Sequence, residues 1–360
     1  MSRLKIGLFE TCNDPTSVKI LISSHFFHPQ VGGTETVGRL LAEEFFAAGH
    51  EVKVVTQTPK PGQLEAPIEI LRRPTASELL NAVRWCDLYF HNNISLQTAW
   101  PLLLVRRPWV VASHTWIPRR RDLGIRAGLY GALKRLAIRA SHAVSISRAL
   151  AADFSTPSVL IPNPYQDDVF RLYPGISRDR DLICAARFVS EKGVDLLIQA
   201  LGVLRREHGL NPSLTITGSG PEEAALRELA RGEAVEEQIA FAGIQTGDGL
   251  ARLFNGHRVA VIPSRCAETF GLVALESAAC GCLVIGSARG GLPEAIGPCG
   301  QIFPTGDVAA LAEQIAEAVR EPVPFTGLSA EAEDHLARHR RANVAAAYLK
   351  LMAELLEGRR

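Results

Sequence analysis

Short apolar segments alternate with longer segments whose apolar residues recur every three or four positions along the 360-residue chain. The short segments predict β-strands, and the longer ones predict amphipathic α-helices. The predicted strands cover 18–23, 51–56, 68–71, 87–91, 108–114, 142–147, 181–187, 213–218, 238–243, 258–264, 282–287 and 301–304. The predicted helices cover 34–49, 77–86, 125–140, 193–207, 222–232, 272–280 and 330–358. This alternation is typical of α/β domains with parallel, doubly wound sheets.

A segment rich in proline, glycine and charge, 161–181, separates two runs of this alternation. A chain of this length can bury two hydrophobic cores, so we expect two domains joined at that segment. The expected divisions are an N-terminal domain at 1–163 with an irregular leader at 1–17, a hinge at 164–180, a second domain at 181–335 and a C-terminal helix at 336–360.

The charge of the chain is balanced overall but unevenly distributed. A net charge of +1 argues against a nucleic-acid partner, and 47% hydrophobic with 21% charged residues is typical of a globular protein. Between residues 101 and 150, however, ten lysines and arginines accompany one acid, Asp122. The helix predicted there has an apolar face made of Leu129, Leu133, Leu136 and Ala137. Two interpretations stay open: a half-buried helix with a solvated basic face, or a basic segment at 106–139 that contacts an anionic membrane or acceptor.

Cysteine and histidine usage limits the possible chemistry. The seven cysteines are scattered and form no Cys-x-x-Cys pair, which favours reduced, buried thiols in a cytoplasmic protein. No segment reaches the ~18 apolar residues that a membrane-spanning helix needs, so any membrane contact would be peripheral. No residues have the spacing of metal ligands, and Asp167-Asp168 lies in the expected hinge. We therefore expect no metal site.

Two carboxylates, Glu268 and Glu276, stand eight positions apart around the sequence Phe270-Gly271-Leu272. If this segment is helical, the two acids lie roughly 12 Å apart along the helix axis. Paired carboxylates of glycoside hydrolases are closer, at ~5–9.5 Å. The spacing therefore predicts that the acids hold two parts of one long ligand, as the sugar and the ribose of a nucleotide-sugar would require. The free N–H groups at the helix start would face the diphosphate between them.

Two cations precede this pair. Arg187 ends a predicted strand, and Lys192 begins the helix that follows. Fixed cations at these positions would stabilise the charge that grows on a departing nucleoside diphosphate. A solvated surface position is the alternative for each cation, but the paired positions ahead of the two acids favour a site.

Three further features have structural alternatives that the sequence leaves open. Gly218 and Gly220 form a strand-to-helix loop that lacks the third glycine of a dinucleotide-binding motif. Gly32 and Gly33 precede a helix whose N-terminus would face the cleft between the domains. His114 ends a predicted strand, where it is either a structural residue or a ligand of a sugar hydroxyl.

These motifs together resemble those of retaining glycosyltransferases of family 4. The matching residues, in chain order, are Gly32-Gly33, His114, Ile161-Pro162-Asn163-Pro164, Arg187, Glu191-Lys192-Gly193, Gly218-Ser219-Gly220 and Pro263–Glu294, which contains a Glu-x7-Glu motif at Glu268 and Glu276. The resemblance implies the GT-B architecture, in which two Rossmann-like doubly wound domains face an interdomain cleft. It also implies that the C-terminal helix packs back on the N-terminal domain.

The resemblance implies transfer of a hexose from a UDP- or GDP-linked sugar to a glycan or lipid-linked acceptor, with retained configuration, no metal and no cofactor. Glu268 would bind the donor sugar, Glu276 the ribose, Arg187 and Lys192 the diphosphate, and His114 would face the sugar. The donor-binding backbone would include Gly32, Gly33, Gly218, Gly220, Phe270, Gly271 and Leu272.

Two other functions fit parts of the pattern. A catalytically silent GT-B protein that binds a nucleotide or a partner would keep the fold, although the complete set of acids and cations argues against it. A dinucleotide-dependent oxidoreductase is suggested only by the strand–helix alternation, and the missing third glycine argues against it.

Overall fold

The computed structural model describes residues 17–30, 32–59, 67–117, 124–154, 156–320 and 327–358. Nearly all of the expected leader, together with Arg119, Arg120 and Arg121 of the basic segment, lies outside these described residues.

The first sheet has seven described strands, all parallel, in the order β3-β2-β1-β4-β5-β6-β7. The strands are β1 (Lys19–Ser23), β2 (Glu51–Thr56), β3 (Glu69–Arg72), β4 (Leu88–Asn92), β5 (Trp109–Ser113), β6 (His142–Ser145) and β7 (Val159–Leu160). Strand β1 pairs with both β2 and β4, so the strand order reverses between β1 and β4.

The second sheet repeats this arrangement with six described parallel strands, in the order β10-β9-β8-β11-β12-β13. The strands are β8 (Arg180–Ala185), β9 (Leu214–Thr217), β10 (Ile239–Phe241), β11 (His257–Ile262), β12 (Leu283–Ser287) and β13 (Gly300–Phe303). The order reverses here between β8 and β11.

Helices cover both faces of each sheet. They are α1 (Gly33–Ala47), α2 (Ala76–Trp85), α3 (Leu96–Ala99), α4 (Gly124–Arg139), α5 (Arg148–Asp153), α6 (Val194–Val203), α7 (Glu223–Gly232), α8 (Gly247–Gly256), α9 (Leu272–Ala279), α10 (Leu292–Ile296), α11 (Val308–Arg320), α12 (Ala330–Arg338) and α13 (Arg341–Glu357). Apolar residues fill the space between each sheet face and its helices. Both sides of the parallel strands are therefore buried. The predicted α/β fold with two doubly wound sheets is confirmed.

The single helix predicted at 330–358 is wrong, because the structure divides it into α12 and α13. The chain is extended at Arg340, where φ is −63° and ψ is 141°. Here the backbone pairs with the segment between the sheets: Tyr165 N donates to His339 O at 3.1 Å, and Tyr165 and Arg340 form an isolated bridge. This tertiary pairing replaces the helical hydrogen bonds that the local pattern predicts.

Helix α13 returns to the first sheet. Its buried residues Val344, Ala345, Tyr348 and Met352 belong to the same core cluster as β1, β4 and α1. The guanidinium of Arg341 lies 3.0 Å from a carboxylate oxygen of Glu44 in α1 and 3.3 Å from one of Asp168. It also lies 3.9 Å from a carboxylate oxygen of Asp167, so the two hinge acids face a cation of this chain.

The leucines of α4 are not buried as the interpretation of a half-buried helix expects. Leu129, Leu133 and Leu136 are 63%, 46% and 62% exposed, whereas Ile138 on the opposite side is buried. The apolar stripe therefore faces away from the sheet.

Candidate functional site

The candidate site lies where the strand order of the second sheet reverses. In open parallel sheets, ligands bind at the carboxyl ends of the strands beside such a reversal. The loop after β8 carries Arg187 and Lys192, and the loop after β11 carries Ser264 and Glu268. Because β8 and β11 are neighbours, residues about 76 positions apart in sequence meet at one edge of the sheet.

Three side chains form a compact polar cluster at this edge. Lys192 Nζ lies 2.6 Å from Glu268 Oε1, and Ser264 Oγ donates to the same oxygen at 2.6 Å. The Lys192 and Glu268 side chains are 23% and 17% exposed, so the pair is partly shielded from water. Within the described residues, no hydrogen bond reaches Oε2 of Glu268, which leaves one carboxylate oxygen for a ligand.

The backbone around the cluster is fixed by contacts between the same two loops. Glu191 O accepts from Arg265 N at 2.8 Å, and Arg265 forms two hydrogen bonds of 2.5 Å with the Asp195 carboxylate. Gly193 has φ 65°, and a Cβ at this position would collide with Pro263 O. A glycine is therefore needed for the two loops to approach each other.

The helical path assumed between Glu268 and Glu276 is wrong. Helix α9 begins only at Leu272, and Glu268 lies before it in an isolated bridge with Gly290. The separation of roughly 12 Å along one helix axis therefore does not apply. Gly271 precedes the helix with φ 109°, and the Phe270 side chain is buried against His339, with ring centroids 5.4 Å apart. A ligand at this segment would therefore meet the backbone of Phe270 and not its side chain.

Glu276 lies within α9 and is half-buried, and its carboxylate forms no hydrogen bond or ion pair among the described residues. Burial without a partner raises the pKa of its carboxyl group from 4.5 to about 7. An acid held in this way can accept from, or donate to, a hydroxyl group brought by a ligand.

Arg187 is exposed, and its guanidinium forms no ion pair or hydrogen bond within the described residues. The neighbouring glycines have a packing role: a Cβ on Gly218 would collide with Ala186 O, and one on Gly220 with the backbone of Phe188. Gly218 and Gly220 thus let two strand-end loops approach, which positions the segment that carries Arg187.

His114 follows β5 in the first sheet. The residue is 3% exposed, and neither ring nitrogen has a hydrogen-bond partner among the described residues. Burial lowers the pKa of the imidazole from 6.5 to about 4, so the ring is neutral at pH 7. His91 in β4 is also buried with both ring nitrogens unpartnered, which adds a second neutral imidazole near the same edge of the sheet.

Gly32 and Gly33 lie at the start of α1, opposite the start of α9. A Cβ on Gly33 would lie 3.5 Å from Leu272 Cδ1, so these two helix N-termini meet across the cleft. The unpaired N–H groups of both first turns are therefore near the space between the two sheets.

Direct contacts between the two halves were not predicted from the sequence. Trp116 Nε1 donates to Ala267 O at 2.7 Å, and Ser147 Oγ donates to Thr269 O at 2.8 Å. The Glu294 carboxylate accepts from the N–H groups of Arg148 at 3.0 Å and Ala149 at 3.2 Å, at the start of α5. These partners are more than 120 residues apart, and no local pattern signals such pairs.

The described residues offer neither a metal site nor a membrane-spanning helix. No group of three or more histidine, cysteine or acidic side chains is arranged to hold a metal ion. None of the helices in this part of the chain has the length and apolar character needed to cross a bilayer.

Similarity to a known protein family falls on the half of the molecule that contains the second sheet. Residues 173–337 match the family described as glycosyl transferases group 1, and this range contains Lys192, Glu268 and Glu276. This match and the relatives described below support a group 1 glycosyltransferase. The matched range begins shortly before β8 and ends in α12, so it covers the whole second sheet.

Individual relatives agree with the family match. The chain is 30% identical over 221 residues to an uncharacterized glycosyltransferase of Methanocaldococcus jannaschii, covering 54% of this chain and 55% of that protein. It is 24% identical over 377 residues to the MMP alpha-(1->4)-mannosyltransferase of Mycolicibacterium hassiacum, covering 85% and 90%. The chain spans only 38% to 55% of the length of the first curated relatives that it matches.

Solved structures share the fold. Anabaena HepE in complex with UDP-glucose superposes with a TM-score of 0.76 at 16% identity, covering 94% of this chain and 100% of that one. This likeness extends over both sheets and agrees with the GT-B architecture.

Proposed function

We propose that this chain is a retaining, metal-independent glycosyltransferase of family 4. It would move a hexose from a UDP- or GDP-linked sugar to a glycan or lipid-linked acceptor. The observation that supports this most directly is the Lys192–Glu268–Ser264 cluster at the strand reversal of the second sheet. The cluster combines a cation with a carboxylate that keeps one oxygen free, which suits a ligand with both phosphates and sugar hydroxyls.

In the proposed complex, the free oxygen of Glu268 accepts from a donor-sugar hydroxyl, and Glu276 holds the ribose. Lys192 and Arg187 face the diphosphate together with the first N–H groups of α9. As the bond from the sugar's anomeric carbon to the phosphate oxygen breaks, negative charge grows on the diphosphate. Cations already fixed in place stabilise that charge without reorganisation.

The acceptor hydroxyl would attack from the face that the nucleotide leaves, and the departing phosphate would take the hydroxyl proton. This chemistry needs no general base from the protein. His114, neutral at pH 7 with a pKa of about 4, suits a hydrogen bond to a sugar hydroxyl better than proton donation.

The experiment is a thermal-shift screen of the whole chain against UDP, GDP, ADP and their hexose conjugates, followed by turnover assays with the best donor. A ligand at about 100 times its Kd should raise the free energy of unfolding by about 2.7 kcal/mol. Donor turnover should persist in EDTA, and the product should keep the anomeric configuration of the donor.

Glu268→Gln tests the site, with Glu223→Gln in the exposed Glu223–Arg227 pair of α7 as the matched control. We expect loss of turnover only in the first variant. Donor binding without turnover across many acceptors would favour the silent GT-B alternative, and full activity of Glu268→Gln would remove the proposed role of this acid.

A further inference from the structure

The outward face of α4 leaves several large apolar side chains exposed. Leu129, Leu133 and Leu136 stand at positions i, i+4 and i+7, so they form one stripe along the helix. Their exposed fractions are 63%, 46% and 62%, and Tyr130 beside them is 46% exposed. Soluble proteins rarely leave such a contiguous apolar surface uncovered unless it meets a partner.

A second exposed apolar pair lies on the same side of the first sheet. Leu103 and Leu104 are 87% and 70% exposed, at the end of the connection between β4 and β5. This connection and α4 cover the same face of the sheet, since Trp109 packs against the clusters beneath both. We define the α4 surface as Leu103, Leu104, Leu129, Tyr130, Leu133 and Leu136.

Cations accompany these apolar residues. Lys134 Nζ lies 5.0 Å from the centre of the Tyr130 ring, and Arg106 and Arg139 are exposed. In the sequence from 101 to 150, ten lysines and arginines stand against the single acid Asp122. An apolar stripe flanked by cations is the composition of helices that lie in the headgroup region of anionic membranes.

The charge also decides between possible occupants. In a twofold dimer the same patch would face itself, which would bring the cations of both copies together. An anionic bilayer instead offers an apolar interior for the leucines and opposite charge for Lys134 and Arg106. We propose that the α4 surface docks this protein on the surface of an anionic lipid bilayer. This proposal does not depend on the proposed transferase activity.

The test is co-sedimentation of the full chain with vesicles of phosphatidylcholine alone and of phosphatidylcholine with about 30% phosphatidylglycerol. We expect binding to the anionic vesicles at least about tenfold stronger than to the neutral ones at low salt, and weaker binding at high salt. Leu129→Ser/Leu133→Ser and Arg106→Gln/Lys134→Gln should each weaken binding at least about tenfold. Leu172→Ser, at a 39% exposed leucine away from α4, should bind like the wild type.

Melting curves of the variants should match the wild type, since the substituted leucines are already exposed. Absence of binding to anionic vesicles at low salt would overturn the proposal, as would wild-type binding by the Leu129/Leu133 variant. Equal binding to neutral and anionic vesicles would also contradict it. Sedimentation velocity without lipid supplies a last check: a dimer that dissociates in the Leu129/Leu133 variant would assign the surface to a second copy instead.

Discussion

The loops after β8 and β11 hold charged side chains together at a partly accessible surface, whereas the ends of β4 and β5 hold neutral polar groups inside the protein. Lys192 and Glu268 are paired and supported by Ser264. In the described part of the chain, the ring nitrogens of His91 and His114 have no hydrogen-bond partners. The two sides share one topology, so the difference comes from the side chains placed on it.

The difference between paired charges and buried neutral groups affects how each side can bind a ligand. A paired cation and carboxylate keep their positions before any ligand arrives, and this lowers the cost of ordering them. Buried, unpartnered imidazoles are held by packing instead, and their unmet hydrogen bonds cost stability until a polar group reaches them. We therefore expect substitutions on the C-terminal side to change turnover most, and substitutions on the N-terminal side to change stability and its pH dependence.

The largest effect is expected for Lys192→Met. It removes the cation that faces the proposed diphosphate and leaves Glu268 with Ser264 alone. Donor turnover should fall about 10²–10³-fold, which corresponds to roughly 3–4 kcal/mol of transition-state stabilisation. Steady-state kinetics with the donor found in the screen measures it.

Arg227→Met, in the exposed pair with Glu223 on α7, is the control for the loss of a paired cation and should keep wild-type turnover. If Lys192→Met also turned over within about twofold of the wild type, the proposed role of the Lys192 cation in turnover would be wrong.

An intermediate effect is expected for His114→Phe as the pH falls. Burial lowers the pKa of His114 from 6.5 to about 4, so the folded state resists protonation that the unfolded chain accepts. The stability that this histidine contributes is complete above pH 6.5 and is lost as the pH falls toward 4. Between pH 6.5 and about pH 5, wild type should lose about 2 kcal/mol of unfolding free energy relative to His114→Phe.

Urea unfolding of both proteins at several pH values measures this difference, and the other histidines titrate alike in the two. Parallel pH curves would mean that His114 is solvated and that the two sides of the cleft differ less than the structure indicates.

The smallest effect is expected at a contact that joins the two sides. Glu294→Ala removes the carboxylate that accepts from Arg148 N and Ala149 N at the start of α5. Loss of such a helix N-terminal acceptor should cost about 1 kcal/mol of unfolding free energy. Glu354→Ala, at an exposed position in α13, should change it by less than about 0.5 kcal/mol. An unchanged free energy in Glu294→Ala would show that this contact does not hold the halves together.

The sequence predicted the strands and the fold class well because buried parallel strands read as short apolar runs. Segment 108–114, for instance, became β5 at Trp109–Ser113. The sequence also placed Lys192 and Glu268 in one proposed site. Their mutual ion pair was not predicted, since it depends on β8 and β11 being neighbours, which the strand order decides and local patterns do not.

Failures of prediction have equally specific causes. The periodic leucines of α4 were compatible with a buried face, because periodicity shows that a stripe exists but not what it contacts. The break between α12 and α13 arises from the pairing of Arg340 with Tyr165, a residue 175 positions earlier in the chain. Helices α8 and α11 were absent from the predicted set. The unpartnered state of His114 and Glu276 depends on packing that no single segment encodes.

The return of α13 also affects how the protein can fold during synthesis. Val344, Ala345, Tyr348 and Met352 complete the core beneath β1 and β4, yet the ribosome makes them after the whole second sheet. The usual order, in which the N-terminal domain folds first, therefore cannot be completed here. The second sheet can assemble while the first still exposes the surface that α13 will cover, so the first half of the chain is the last to become fully native.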